Sequence, residues 1–145
     1  MPFSYIEHAS DIGILATGAT LQEAFESGAQ AMLNIMYDTA TVERVQELPV
    51  TCEAESIPLL YIELLNELLC LHDIEGLAFR EVTVEEISEE IGEDKGLYRL
   101  KGTAGGEALD AEKHCVKTEA KAATYAGLDY RVEKGQHMLR CIIDV

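Results

Sequence analysis

Residues 59–73, LLYIELLNELLCLHD, carry apolar side chains on nearly every side of a helical wheel. Ser56 and Pro58 stand just ahead as a start signal, so the spacing predicts a helix running to about Asp73. A helix that is apolar all round must be covered by more than one neighbour. Glu63, Asn66 and Glu67 break the apolar run, which therefore cannot span a membrane, and the cover has to come from the rest of the chain. With 145 residues there is enough chain for one full hydrophobic core. A helix layer covered by sheet on both faces meets the demand.

The remaining patterns supply the second helix and the sheets. Thr20 followed by Glu23 is a capping-box signature that opens a helix at Leu21. Leu21, Ala24, Phe25, Gly28, Ala29, Met32, Leu33 and Met36 then fall on one face, and the helix should end near Asp38. Its methionines read as core filling. FSYIE (3–7) and IGILATG (12–18) read as short strands joined through His8–Asp11. Residues 42–55 read as a strand interrupted around Pro49, which suits an edge. From Leu77 onward the period changes to two, giving strands over 78–87, 98–106, 118–133 and 137–145. Residues 92–96 and 133–136 are turns between them, and SEEIGEDKG is a solvated hairpin tip. The expectation is an α+β fold: one compact domain over residues 1–145, with mostly antiparallel or mixed sheet layers on two long helices. Residues 75–115 are rich enough in strand to form a lobe or insertion.

Charge narrows the function classes. Eleven basic residues against 27 acidic ones give a net charge of −16, with no cluster of Lys and Arg. Strong direct binding of RNA or DNA needs such a cluster and is not expected. An acidic surface suits a basic protein partner, a cation, or plain solubility. Cys52, Cys70, Cys115 and Cys141 form no CxxC pair, so the expectation is reduced, mostly buried thiols in a cytoplasmic protein. The opening MPFSYIEH lacks the charged and apolar regions of a signal peptide.

Few polar residues stand out. His8 and Asp11 share the turn between the first two strands, where an Asp more often bonds its own backbone than a ligand. Asp144 follows the apolar run CII at the end of a central strand, a costly place for a carboxylate unless it lies at the sheet rim or is paired. Val145 adds backbone and terminal oxygens beside it, and such hard donors suit Ca²⁺ or Mg²⁺. In the strand read over 118–133, continued back to Lys117, Lys117 and Lys121 share one side-chain parity. They suit a phosphate or ordinary cross-strand ion pairs. HExxH, a P-loop and a nucleophile elbow are all missing.

The segment PFSYIEHASDIGILATGATLQEAFESGAQAMLNIMYD resembles the N-terminus of the archease family in order and spacing. LLYIELLNELLCLHDIEG resembles the family's long second helix, and GEALDAEKHCVKTEAKAATYAGLDYRVE with the closing CIIDV resembles its C-terminal part. Together these cover nearly the whole chain. The resemblance implies an accessory protein that activates the RtcB-type RNA ligase in tRNA splicing and RNA repair, promoting guanylylation and multiple turnover without being an enzyme. It also implies a divalent metal, usually calcium, on Asp11 and Asp144, with a backbone oxygen of Val145 and with His8 as a neighbour. His114, Lys117, Lys121 and Tyr125 carry the family's other polar signature. Ala126 stands where many members have His, so a role for that His does not transfer. Two other readings stay open: a stand-alone metal-dependent hydrolase using Asp11, Asp144 and His8, and a general protein chaperone. The ligase reading requires the N-terminal turn and the C-terminus to meet at one sheet rim.

Overall fold

The computed structural model describes residues 2–8, 11–91 and 96–145. The chain runs β1 (Phe3–His8), β2 (Asp11–Gly18), α1 (Leu21–Met36), a 3-10 turn (Thr39–Thr41), β3 (Gln46–Ala54), α2 (Ile57–Glu75), β4 (Leu77–Ile91), β5 (Gly96–Ala108), β6 (Ala122–Glu133) and β7 (Gln136–Asp144). Four strands form one sheet in the order β1-β2-β7-β6, and three form a second in the order β3-β5-β4. The strand pairings within both sheets are antiparallel. The two helices lie between the sheets: α1 packs on β2 and β7 on one side and β4 on the other, and α2 packs on β6 on one side and β3 on the other. This is the α+β layering expected from a helix apolar on every side. Leu60, Tyr61, Ile62, Leu64, Leu65 and Leu68 are all fully buried.

Local signals account for the helix ends. The Thr20 hydroxyl accepts from Glu23 N at 3.1 Å, and Glu23 Oε2 accepts from Ala19 N at 3.1 Å, a reciprocal cap that satisfies two otherwise orphaned donors. Ser56 caps α2 by accepting from Leu59 N at 3.3 Å. That helix runs to Glu75, past the expected end at Asp73, because Gly76 takes the left-handed conformation (φ 64°) and returns its N–H to His72 O. The helices cross where Gly28 of α1 meets Tyr61 of α2, and a Cβ at Gly28 would overlap the tyrosine hydroxyl and ring. Cys141 of β7 donates to that hydroxyl at 3.8 Å, so one buried contact ties both helices to the four-stranded sheet.

The third strand begins at Gln46 rather than Val42, because residues 39–41 turn into a 3-10 helix capped by the Asp38 side chain. Pro49 lies on β3, an edge strand, as its missing N–H requires. The strand expected over 118–133 starts only at Ala122. β4 and β5 join β3 in the three-stranded sheet. Their hairpin closes at Ile91 opposite Gly96, and residues 92–95 of the proposed solvated tip lie outside the described residues. The thiols are not mostly buried: Cys70 and Cys115 are exposed, Cys52 is half-buried and only Cys141 is fully buried, and all four are free.

Candidate functional site

The four-stranded sheet brings the two ends of the chain together. β2 pairs with β7 along its whole length, and the last pair sets Asp11 directly opposite Asp144. Asp144 is also opposite Ala122 at the start of β6, and Asp11 is opposite His8 at the end of β1. These positions form one cross-strand row at one rim of the sheet, with Val145 following. Ile14, Ala16, Leu139, Cys141 and Ile143 point into the core, so alternation puts Asp11 and Asp144 on the same opposite face. Like charges directly opposite on a ladder destabilise it, so this pairing carries a cost within the sheet.

The segment between β5 and β6 frames the rim. Asp110 Oδ1 accepts from Glu112 N and Lys113 N, each at 3.1 Å, and starts a tight turn that ends at Cys115 with φ 53°. The chain then crosses the C-terminal end of α1, where Asp38 N donates to His114 O and Lys117 N donates to Met36 O, each at 2.8 Å. Lys117 Nζ reaches Asn34 O at 3.2 Å, supplying the cation that the last turn of α1 lacks. Lys121 N donates to Asp144 O at 2.8 Å. These bonds take the backbone donors that a strand would have put into a ladder. The shared parity of Lys117 and Lys121 therefore fails: neither lies in a strand, and both side chains are exposed. Lys117 and Asp11 instead border one open groove of about 720 Å³, with Phe3 and Tyr5 of β1 and Asn34 and Ile35 of α1.

His114 does not join this group. It is fully buried, and its Nδ1 accepts from Asp110 N at 3.0 Å, which leaves the proton of the neutral ring on Nε2. That atom lies 3.3 Å from Glu107 Oε2 but out of line for a full hydrogen bond. Glu107 also accepts from Glu43 N at 2.6 Å and from Lys113 Nζ at 2.9 and 3.0 Å. The Glu43 N–H first, then Lys113 and His114, hold its carboxyl down at about 2. His114 thus belongs to a structural cluster that anchors the turn. Tyr125 is exposed on β6, close to Gly127 in a stretch where pairing with β7 is irregular.

One positioning residue escaped the sequence reading. Asn66 of α2 accepts from Ala123 N at 2.9 Å and donates to Ala123 O at 3.2 Å, which fixes the start of β6 beside Asp144. In the sequence it registers only as a break in an apolar run. The one uncharged residue among the breaks at Glu63, Asn66 and Glu67 was the available signal, since an amide on a packed helix needs partners.

As a cation site the rim offers two carboxylates on one face and the oxygens of Val145. Among the described residues no cluster of three or more His, Cys, Asp or Glu side chains is arranged to hold a metal. The donors present fit a hard cation in kind, and water or a partner would complete its shell.

Comparisons with known proteins agree with this architecture. Residues 3–145 match the profile of the Archease protein family (MTH1598/TM1083). The protein archease of Thermococcus gammatolerans is 42% identical over 146 residues, covering 99% of this chain and 98% of that protein. The protein archease of Pyrococcus furiosus is 38% identical, again covering 99% and 98%. The solution structure of protein 1598 of Methanobacterium thermoautotrophicum superimposes with a TM-score of 0.79 at 33% identity, covering 99% of both chains. A Thermotoga maritima archease, described as a possible chaperone, shares the fold with a TM-score of 0.56 at 18% identity, over 97% of this chain and 94% of its own.

Proposed function

This chain belongs to the archease family, and from that membership we propose that it is an accessory protein of an RtcB-type RNA ligase. In this reading it docks transiently at the ligase, promotes guanylylation and multiple turnover in tRNA splicing and RNA repair, and makes no covalent bond itself. The observation that supports this most is the direct opposition of Asp11 and Asp144 at the sheet rim. Paired carboxylates on a rigid ladder can orient a cation or a basic side chain of a partner, with little entropy left to lose at the moment of contact. The net charge of −16 keeps RNA away from this surface and favours a basic protein.

A divalent cation, for which the family resemblance suggests calcium, would be held by Asp11, Asp144 and Val145. Its charge would offset the two facing carboxylates. Around that position the chain's own groups do the arranging. The Lys121 N–H holds the Asp144 carbonyl, Asn66 holds the start of β6, and Lys117 sits across the groove from β1.

Single-turnover guanylylation of the ligase tests the proposal. With the wild-type chain the rate rises, and with Asp11→Ala or Asp144→Ala the stimulation falls by about tenfold or more, the scale of one lost charge-assisted contact. Stimulation left unchanged by both variants, with folding intact, would refute the role of the pair.

A further inference from the structure

The four sheet edges of this molecule are not treated alike. β3 carries Pro49 and the exposed Glu47 and Glu53. β4 is broken by register shifts at Phe79/Glu81 and Val84/Glu86, and α1 covers its backbone. The Tyr37 hydroxyl bonds both Phe79 N and Phe79 O, Gln30 donates to Arg80 O, and Glu26 accepts from Val84 N. β6 has an irregular stretch between Thr124 and Asp129, and Asn66 takes both backbone groups of Ala123. Proline, charge, bulges and covering side chains are the devices by which native proteins blunt an edge. β1 runs FSYIEH through six consecutive pairs with β2, with no proline and no register shift. Among the described residues, no counterpart of the Tyr37, Gln30, Glu26 or Asn66 bonds covers Phe3–Ile6. The open groove of about 720 Å³ runs along this edge, floored by Ile35 of α1 and ending at Asp11, whose ladder partner is Asp144.

We propose that the β1 edge is a strand-addition site. It takes an extended segment of a partner protein as a fifth strand of the four-stranded sheet, with apolar side chains entering the groove and a Lys or Arg directed at Asp11 and the acidic rim it shares with Asp144. Main-chain hydrogen bonds to β1 give the affinity, and the groove and the acidic end give the choice of segment. Charge decides between occupants. A second copy of this chain would bring another net −16 to the edge, whereas a basic segment is attracted to it. Lys117, which borders the groove, turns its Nζ onto Asn34 O at the end of α1. The inference rests on the accessory-protein reading only in taking the segment from another protein.

The test uses the full chain and a capped synthetic peptide of alternating valine and threonine that ends in two lysines. Backbone amide shifts and hydrogen exchange are followed by NMR with millimolar peptide. The expected result is protection of the Phe3, Tyr5 and Glu7 amides, which point away from β2, and shifts at Asn34 and Ile35. Binding should weaken about tenfold when the two lysines are replaced by glutamates or when Asp11→Asn and Asp144→Asn are combined. N-methylation of alternate peptide nitrogens, which removes ladder donors, should abolish it. No response in β1, or equal binding by the N-methylated peptide, overturns the proposal. Protection of the outward-facing amides of β1 without peptide, with a doubled mass in solution, overturns it in favour of self-association. No ligase is present, so peptide addition at β1 together with unchanged guanylylation by the Asp11 and Asp144 alanine variants would overturn the functional reading alone.

Discussion

The Glu107 cluster and the Asp11–Asp144 rim both gather carboxylate charge, and they are built in different ways. Around Glu107 a backbone N–H, an ammonium group and a buried imidazole converge on one carboxylate, and its acidity is strengthened accordingly. At the rim, Asp11 and Asp144 are set across a ladder from each other, so that each raises the cost of the other. A carboxylate surrounded by its own chain's donors has its purpose inside the fold: Glu107 closes the end of β5 onto the turn that carries His114. Two carboxylates facing each other across a ladder fit the proposed role of meeting a cation or a partner's basic group. Both arrangements sit on strand ends, so strand position alone does not tell them apart. The like charge across the ladder does.

The largest expected effect comes from removing the support behind the rim. Asn66→Ala leaves Ala123 N–H and C=O without partners in a nearly closed space, at about 2–3 kcal/mol for two buried backbone groups. Thermal denaturation should show a fall of roughly 5–10 °C for a chain of this size. Hydrogen exchange should show the loss concentrated at the β6–β7 end near Asp144. A loss spread evenly over both sheets would mean that Asn66 does not specifically hold the rim.

Next in size is the closed site. The folded Glu107 carboxyl lies at about 2, below its ordinary value of 4.5. Its contribution to stability is therefore fully present above pH 4.5 and is lost as pH falls from there through about 2. In Glu107→Gln that pH-dependent part disappears. The variant should melt below wild type at pH 6, and the gap should narrow steadily between pH 4.5 and 2. The effect is smaller than that of Asn66→Ala because water screens Lys113 and part of the carboxylate. A gap independent of pH would show that the Glu43 and Lys113 bonds are not its source.

The contrast between these sites was only partly legible in the sequence. The helix over residues 57–75 demanded cover on all sides, and from that demand the two-sheet layering follows. Thr20, Glu23 and Ser56 marked the helix starts by local chemistry. What could not be read were facts that depend on contacts far apart along the chain. Asp11 faces Asp144 only because β2 and β7 pair without a slip, and register is a property of the assembled sheet. Lys117 and Lys121 looked like one face of a strand because alternation was the visible signal, yet their amides are taken by Met36 O and Asp144 O. His114 read as a member of the same polar set as the lysines, and the turn at Asp110 buries it beside Glu107 instead.

The smallest effect has the opposite sign and separates the two sites most sharply. Replacing Asp144 by Asn keeps the shape of the side chain, leaves the carbonyl that accepts from Lys121 N intact, and removes one of two like charges on the ladder. Cross-strand pairs of this kind are worth a few tenths of a kcal/mol up to about 1, so Asp144→Asn should raise the melting temperature by roughly 1–2 °C. Salt should erase the gain, because the repulsion it relieves is screened at a part-exposed position. The same substitution should weaken stimulation of the ligase, so that stability and activity move in opposite directions, whereas Glu107→Gln lowers stability at neutral pH and leaves stimulation by the folded chain in place. If Asp144→Asn instead destabilises the chain at low salt, the carboxylate is held by the fold as Glu107 is, and the rim loses its distinction as a place kept for a partner.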